Sequence, residues 1–206
     1  MSNRRRILLA GPPGTGKTMS ARVLAHELKL PLYTVQVDRL VTKFMGETSA
    51  KLRQIFDIME QKQGIYFFDE FDAIGGDRSM DNDVGEMRRV LNALLQFIEQ
   101  DQSDSIIVAA TNNPKLLDQA LFRRFDDVLY YSLPDEEERK HLIELVMGTF
   151  LASRFAWKKV LSGCEGLSQS EIGSACRDAI KEAVLHDQSK VTAAELIGTL
   201  NQRRQV

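Results

Sequence analysis

Cysteine, histidine and single-sign charge are scarce in this chain, and each scarcity narrows what it can be. Cys164 and Cys176 are its only cysteines, too few for a disulfide scaffold and without metal-ligand spacing, which points to a reducing compartment. His26, His141 and His186 fall in separate helix-like segments and make no metal constellation. His26-Glu27 begins like the zinc-protease pattern H-E-x-x-H, but Leu30 stands where the second histidine belongs. No apolar run approaches the roughly 20 residues that cross a bilayer. After the basic start Arg4-Arg5-Arg6, only Ile7-Leu8-Leu9-Ala10 precede Gly11, too short for a signal-peptide core. A net charge of −2 gives no overall pull toward nucleic acid or an anionic membrane. Internal repeats and low-complexity tracts are absent. The expectation is a cytoplasmic globular protein. Hydrophobic residues at 43% and charged residues at 27% exclude wholesale disorder, and 206 residues hold one ordinary domain or one plus a small satellite.

What is present is more specific. Gly11-Pro12-Pro13-Gly14-Thr15-Gly16-Lys17-Thr18 fits G-x-x-x-x-G-K-[ST], the phosphate-binding loop. Arg6–Ala10 before it reads as a buried strand. The residues after Lys17 read as a helix with Val23, Leu24 and Leu28 on one side. A strand, a glycine-rich turn and a helix in that order aim backbone N–H groups and the positive end of a helix dipole at one point, which favours phosphate. Lys17 would then reach the β- and γ-phosphates, and the Thr18 hydroxyl would sit on Mg²⁺.

Ile65-Tyr66-Phe67-Phe68-Asp69-Glu70 is an apolar run ending in two carboxylates, preceded by a helix-like segment with Leu52, Ile55, Phe56 and Met59 at helical spacing. A buried parallel strand has this composition, and ligands bind at the carboxyl ends of such strands. Adjacent strand residues point to opposite sides. Asp69 is therefore expected on the metal side and Glu70 as the base that activates water. A solvated turn is the plain alternative for an Asp-Glu pair. Ser105–Asn112 reads as a third buried strand ending in polar groups; Asn112 either contacts the γ-phosphate or the attacking water, or serves the turn before Pro114. Arg123 and Arg124 lie between Leu121-Phe122 and Phe125, neighbours that argue against a fully solvated face. Arginine is the side chain suited to bidentate phosphate contact.

With these pieces together, nearly the whole chain resembles an AAA family ATPase. The resemblance implies Walker A at Gly11–Thr18, with nucleotide contacts from Pro13, Gly14, Thr15, Gly16, Lys17, Thr18 and Met19. It implies Walker B at Phe67–Glu70, a metal site at Thr18 and Asp69, a sensor at Asn112, and arginine fingers at Arg123 and Arg124 that reach a neighbouring subunit's nucleotide. Ala109–Pro114 followed by Leu117–Leu121 is similar to the family's second region of homology. Many members separate the two arginines with Pro-Gly; here they are adjacent, as in the microtubule-severing and related branch, which leaves open which is the main finger. Lys43-Phe44-Met45-Gly46-Glu47 resembles the aromatic pore loop that grips an extended polypeptide, against the alternative that Phe44 and Met45 pack on the core. Gly75–Gly85 is either a second pore loop or a polar connection.

Strands are expected near 6–10, 32–37, 64–69, 105–110 and 127–131 with helices between, hence a parallel α/β sheet covered on both faces. The resemblance implies the strand order 5-1-4-3-2 in a three-layer P-loop fold over residues 1–133. From Leu133-Pro134-Asp135 the pattern is helical only, and residues 134–206 match the family's small helical lid. Asp135 with Glu138 gives a helix start, and Ser168 with Glu171 a capping box. The following helix places Ile172, Ala175, Cys176, Ala179, Ile180, Ala183 and Val184 on one stripe, making Cys176 a core residue. Gly166 and Ser168 are assigned to the nucleotide by position only. Six residues precede Ile7, where members carry an upstream adenine-packing segment and a recruitment domain, so the chain reads as a module of a longer protein. The expected function is an ATP- and Mg²⁺-dependent remodeller that assembles as a homo-oligomeric, hexameric ring and pulls on a protein substrate. A nucleic-acid motor on the same core is the alternative, weakened by the acidic charge and the lack of a DNA-binding appendage. A non-hydrolysing scaffold is opposed by Glu70 and the arginines.

Overall fold

The computed structural model describes residues 4–37, 45–71, 81–116 and 119–204. They form two compact units, Met1–Gly11 with Lys17–Tyr131, and Pro12–Gly16 with Ser132–Val206.

The first unit is built on a five-stranded parallel sheet: β1 (Arg6–Ala10), β2 (Leu32–Gln36), β3 (Ile65–Asp69), β4 (Ile106–Thr111) and β5 (Asp127–Tyr130). Its order β2-β3-β4-β1-β5 is the expected 5-1-4-3-2 read from the other edge. Apolar side chains alternate between two cores because successive strand residues face opposite ways. Leu8, Tyr66, Phe68, Ile107 and Ala109 turn toward helices α2 (Met45–Gln61) and α3 (Asp81–Gln100), which contribute Leu52, Phe56, Met59, Leu94 and Ile98. Leu9, Ile65, Phe67, Val108 and Ala110 turn the other way, toward α1 (Lys17–Leu28).

On α1 the buried face differs from the expected one. Ala21 and Ala25 pack on the sheet with Leu24 beside them, whereas Val23 is 51% and Leu28 47% exposed. Ala21 and Ala25 share this closely packed layer with the buried Phe67 of the sheet. A short helix α4 (Gln119–Phe122) precedes β5.

The second unit holds α5 (Glu136–Met147), α6 (Trp157–Gly163), α7 (Gln169–Leu185) and α8 (Ala193–Arg204) around Ile143, Met147, Val160, Ile172, Cys176 and Leu196. Asp135–Glu138 and Ser168–Glu171 are both capping boxes, each satisfying a backbone donor at the helix start and at its third residue. Val184, expected on the buried stripe of α7, is exposed in the helix's last turn.

Candidate nucleotide site

Strand register brings the functional segments to one edge of the sheet. Ala10 lies opposite Thr111 on one side and Tyr130 on the other, and Gln36 lies opposite Asp69. Gly11, Asn112 and Glu70 each follow the last residue of their strand and leave at the carboxyl edge. The Gly11 N–H donates to the Thr111 carbonyl at 3.2 Å, which extends the β1–β4 pairing one residue into the loop. At Gly11 a side chain would not fit, since a Cβ would lie 2.3 Å from the Tyr131 carbonyl oxygen.

Within the loop, the buried Thr15 hydroxyl donates to the Pro12 carbonyl at 2.8 Å and closes the turn. Gly14 has φ +74°, the left-handed region, and a Cβ there would meet Ser168 Oγ at 2.4 Å. The Gly14 carbonyl accepts a hydrogen bond from the Ser170 N–H at 3.0 Å. Ser168 thus caps α7 and also lies against the loop backbone; Gly166, at φ +77°, makes the turn before it. Nothing in the sequence singled out Ser170, because its contribution is a backbone donor, which leaves no residue-type signature.

Lys17 is buried at the start of α1, and its ammonium donates to the Gly11 carbonyl at 2.8 Å, which holds the amine across the mouth of the loop. Thr18 Oγ1 donates to Asp69 Oδ2 at 3.4 Å, so a hydroxyl and a carboxylate from separate elements converge. That donor set suits hydrated Mg²⁺, which keeps several waters and takes one or two protein oxygens plus phosphate. Among the described residues no cluster of three His, Cys, Asp or Glu could form an all-protein metal cage. Met19 follows on α1 and is 61% exposed.

Glu70 departs from the strand argument. β3 ends at Asp69, and Glu70 has φ +54°, so its direction is set by a left-handed residue and not by the pleat. Its N–H donates to Asp69 Oδ1 at 2.9 Å and its side chain is exposed. The Asp69 carboxylate therefore serves Thr18 with one oxygen and the Glu70 backbone with the other. Asn112 is exposed just past β4, and the turn that follows is closed by the Asn113 N–H on Thr111 Oγ1 at 3.2 Å.

Arg123 is exposed and makes no ion pair with any described residue; Arg124 pairs with Glu99 at the end of α3. Lys43 and Phe44 lie outside the described residues, as does most of Gly75–Gly85, and Met45 is the first residue of α2. Cys164 and Cys176 are unpaired and buried among the lid helices, where burial pushes their thiols up to about 11 and about 12. That is the opposite of nucleophile activation. No described helix is long and apolar enough to cross a membrane.

Residues 7–133 match the model of the ATPase family associated with various cellular activities (AAA). An uncharacterised AAA family ATPase of Sinorhizobium fredii is 37% identical over 91% of this chain and 57% of its own length. A putative 26S proteasome regulatory subunit homologue of Methanothermobacter thermautotrophicus is 34% identical over 97% of this chain and 55% of its length. The ATP-dependent zinc metalloprotease FtsH 1 of Methylacidiphilum infernorum is 34% identical over 93% of this chain and 31% of its length. The chain thus spans about half the length of the first two curated relatives.

Proposed function

We propose, since this chain belongs to the AAA family of ATPases, that it is the ATP-hydrolysing module of a cytoplasmic protein remodeller, working as a homo-oligomeric, hexameric ring. The observation that carries the hydrolysis is the convergence of Thr18 on Asp69 at 3.4 Å, with Lys17 and Glu70 each one residue away in sequence. Residues 1–133 serve as the nucleotide-binding domain and 134–206 as its lid.

In this reading the N–H groups of residues 13–18 and the Lys17 ammonium hold the β- and γ-phosphates, with Met19 against the base and Gly166 and Ser168 on the lid side. Thr18 and Asp69 are the residues that would hold Mg²⁺, which would supply charge neutralisation at the phosphate oxygens. Glu70 takes a proton from the attacking water as the water oxygen bonds to the γ-phosphorus and the bond to the ADP oxygen breaks. Asn112 orients that water, and Arg123 and Arg124 of a neighbouring copy stabilise the charge that spreads over the γ-phosphate.

Protein as the substrate is supported by relatives whose names place them with proteasome regulation and ATP-dependent proteolysis. Lys43, Phe44 and Met45 are the residues proposed to grip it. The two buried unpaired thiols support the reducing, cytoplasmic setting. The test is the ATPase rate of the chain joined to its natural flanking regions, with unfolded polypeptide or with DNA. Stimulation by polypeptide that is lost in Phe44→Ala, with basal ATPase kept, supports remodelling. Stimulation by DNA alone would move the assignment to a nucleic-acid motor. A loss of folding stability in Phe44→Ala of the about 3–5 kcal/mol typical of an emptied aromatic site would make Phe44 a core residue.

A further inference from the structure

Glu70 and Arg124 are each followed in sequence by a buried phenylalanine, and the two rings meet. Phe71 is fully buried and Phe125 nearly so; their centroids are 6.2 Å apart with planes at 80°, an edge-to-face contact. The arginine turn is fastened beside this contact. Leu121 is buried in the same core, and the Asp126 carboxylate accepts the N–H groups of Arg5 and Arg6 at 2.8 and 2.9 Å. The other end of the linkage is the unusual one. Glu70 holds φ +54°, a left-handed conformation uncommon for a residue with a side chain, and Phe71 is the next residue.

We infer that Phe71 and Phe125 are positioning residues that tie the arginine turn a subunit offers its neighbour to the Glu70 peptide of its own site. The inference rests on the ring reading above and adds a route by which adjacent sites influence one another. When Glu70 leaves the left-handed region, the peptide it shares with Phe71 must rotate. A close-packed interior does not absorb such a shift by compression, so Phe125 moves and the adjoining Arg124 and Arg123 move with it. The Arg124–Glu99 ion pair does not oppose this, because both side chains are partly exposed and such pairs are weak. Glu70 thereby acts on its own γ-phosphate and, through the two rings, on the next subunit's.

Phe125→Leu and Phe71→Leu keep an apolar side chain and remove the ring contact; Phe125→Met, closer in volume, covers the event that Phe125→Leu does not fold. With ATP and Mg²⁺, at concentrations where the wild-type rate per subunit is maximal, each folded variant should bind nucleotide as the wild type does. Its kcat should fall at least tenfold at unchanged KM, and the double variant should be no slower than the slower single. Mixing Phe125→Leu with Glu70→Gln should restore part of the rate, since one interface then joins an intact Glu70 to correctly held arginines. Mixing it with an Arg123→Ala, Arg124→Ala double variant should restore none.

The inference is overturned by a folded Phe125→Leu with wild-type kcat, by additive effects of the two substitutions, or by a loss that Glu70→Gln does not complement. The arginine double variant mixed with Glu70→Gln is the control. Rescue there, without rescue of Phe125→Leu, defeats this inference alone. No rescue there defeats the ring reading and this inference with it.

Discussion

The Ser170 N–H donates to the Gly14 carbonyl at 3.0 Å, so the first turn of α7 is bonded directly to the backbone of the phosphate loop. Gly14 can take part only because it has no side chain: φ is +74° and a Cβ would stand 2.4 Å from Ser168 Oγ. Gly14→Ala is therefore expected to combine backbone strain with a steric clash, each a recognised source of large single-site losses. Nucleotide affinity should fall more than tenfold, and the thermal transition of the lid should fall with it, because the clash is with the residue that caps α7. Calorimetric titration with ADP and a melting curve check both; an unchanged affinity would show that this loop geometry does not hold the nucleotide.

Lys17 and Glu70 should separate binding from turnover. Lys17→Ala removes the ammonium that spans the loop to Gly11 and is expected to weaken binding itself. Glu70→Gln keeps the shape, the Asp69–Thr18 pair and the backbone bond to Asp69, so it should bind ATP normally and hydrolyse at a rate lowered by about 10²–10⁴, the usual contribution of a general base. Affinities and single-turnover rates measured on both variants decide this. Equal losses of affinity would remove the division of roles.

Much of this was readable from residue order. The strands announced themselves as short apolar runs between glycines and charged residues, and the two capping boxes at Asp135 and Ser168 by their three-residue spacing to glutamate. Thr192 and Glu195 carry the same signal: the Thr192 N–H donates to Glu195 at 2.7 Å, and these bonds hold the Glu195 carboxyl below the usual range. The packed face of α1 was not legible, because Ala21 and Ala25 are small residues whose burial is set by contact with strands from distant segments, Phe67 among them. The left-handed Glu70 and the Ser170 donor were hidden for a different reason: both are backbone properties of residue types that ordinarily imply neither.

The lid thiols give a pH dependence with a definite sign. Desolvation by burial is the main cause of both shifts, with Arg139 and Arg204 opposing it at Cys164, and Cys164 adding to it at Cys176. Unfolded thiols ionise near pH 8.5, whereas the folded ones stay neutral up to about 11 and about 12. The folded state is therefore favoured fully below the unfolded value, and that contribution is lost as pH rises through the folded ones. Each thiol steepens the fall of stability by at most about 1.4 kcal/mol per pH unit. Denaturant midpoints from pH 8 to 11 should drop less steeply for Cys176→Ala than for the wild type, although the variant starts lower. Parallel slopes, or fast alkylation of the native thiols at pH 8, would show that they are not sealed in the core.

The arginines test the ring and the chemistry together. A guanidinium supplied in trans to a γ-phosphate raises the rate by about 10³–10⁵, which is roughly 4–7 kcal/mol of transition-state stabilisation. The Arg124–Glu99 pair joins two partly exposed side chains, and such pairs are worth about 0–1 kcal/mol, so it cannot keep Arg124 from a γ-phosphate. Arg123 has no ion pair among the described residues to give up. Arg123→Ala and Arg124→Ala are thus each expected to lose more than tenfold in kcat with little change in nucleotide affinity. In the proposed ring, where the arginines act across an interface, the wild-type rate per subunit should rise with protein concentration and level off as oligomers form. The double variant Arg123→Ala, Arg124→Ala and the Glu70→Gln variant, each inactive alone, should recover part of the wild-type rate when mixed, with sedimentation showing that both enter one assembly. A rate per subunit that stays constant from monomer to oligomer, with no recovery on mixing, would leave a self-contained ATPase and assign the two arginines to the surface of a single chain.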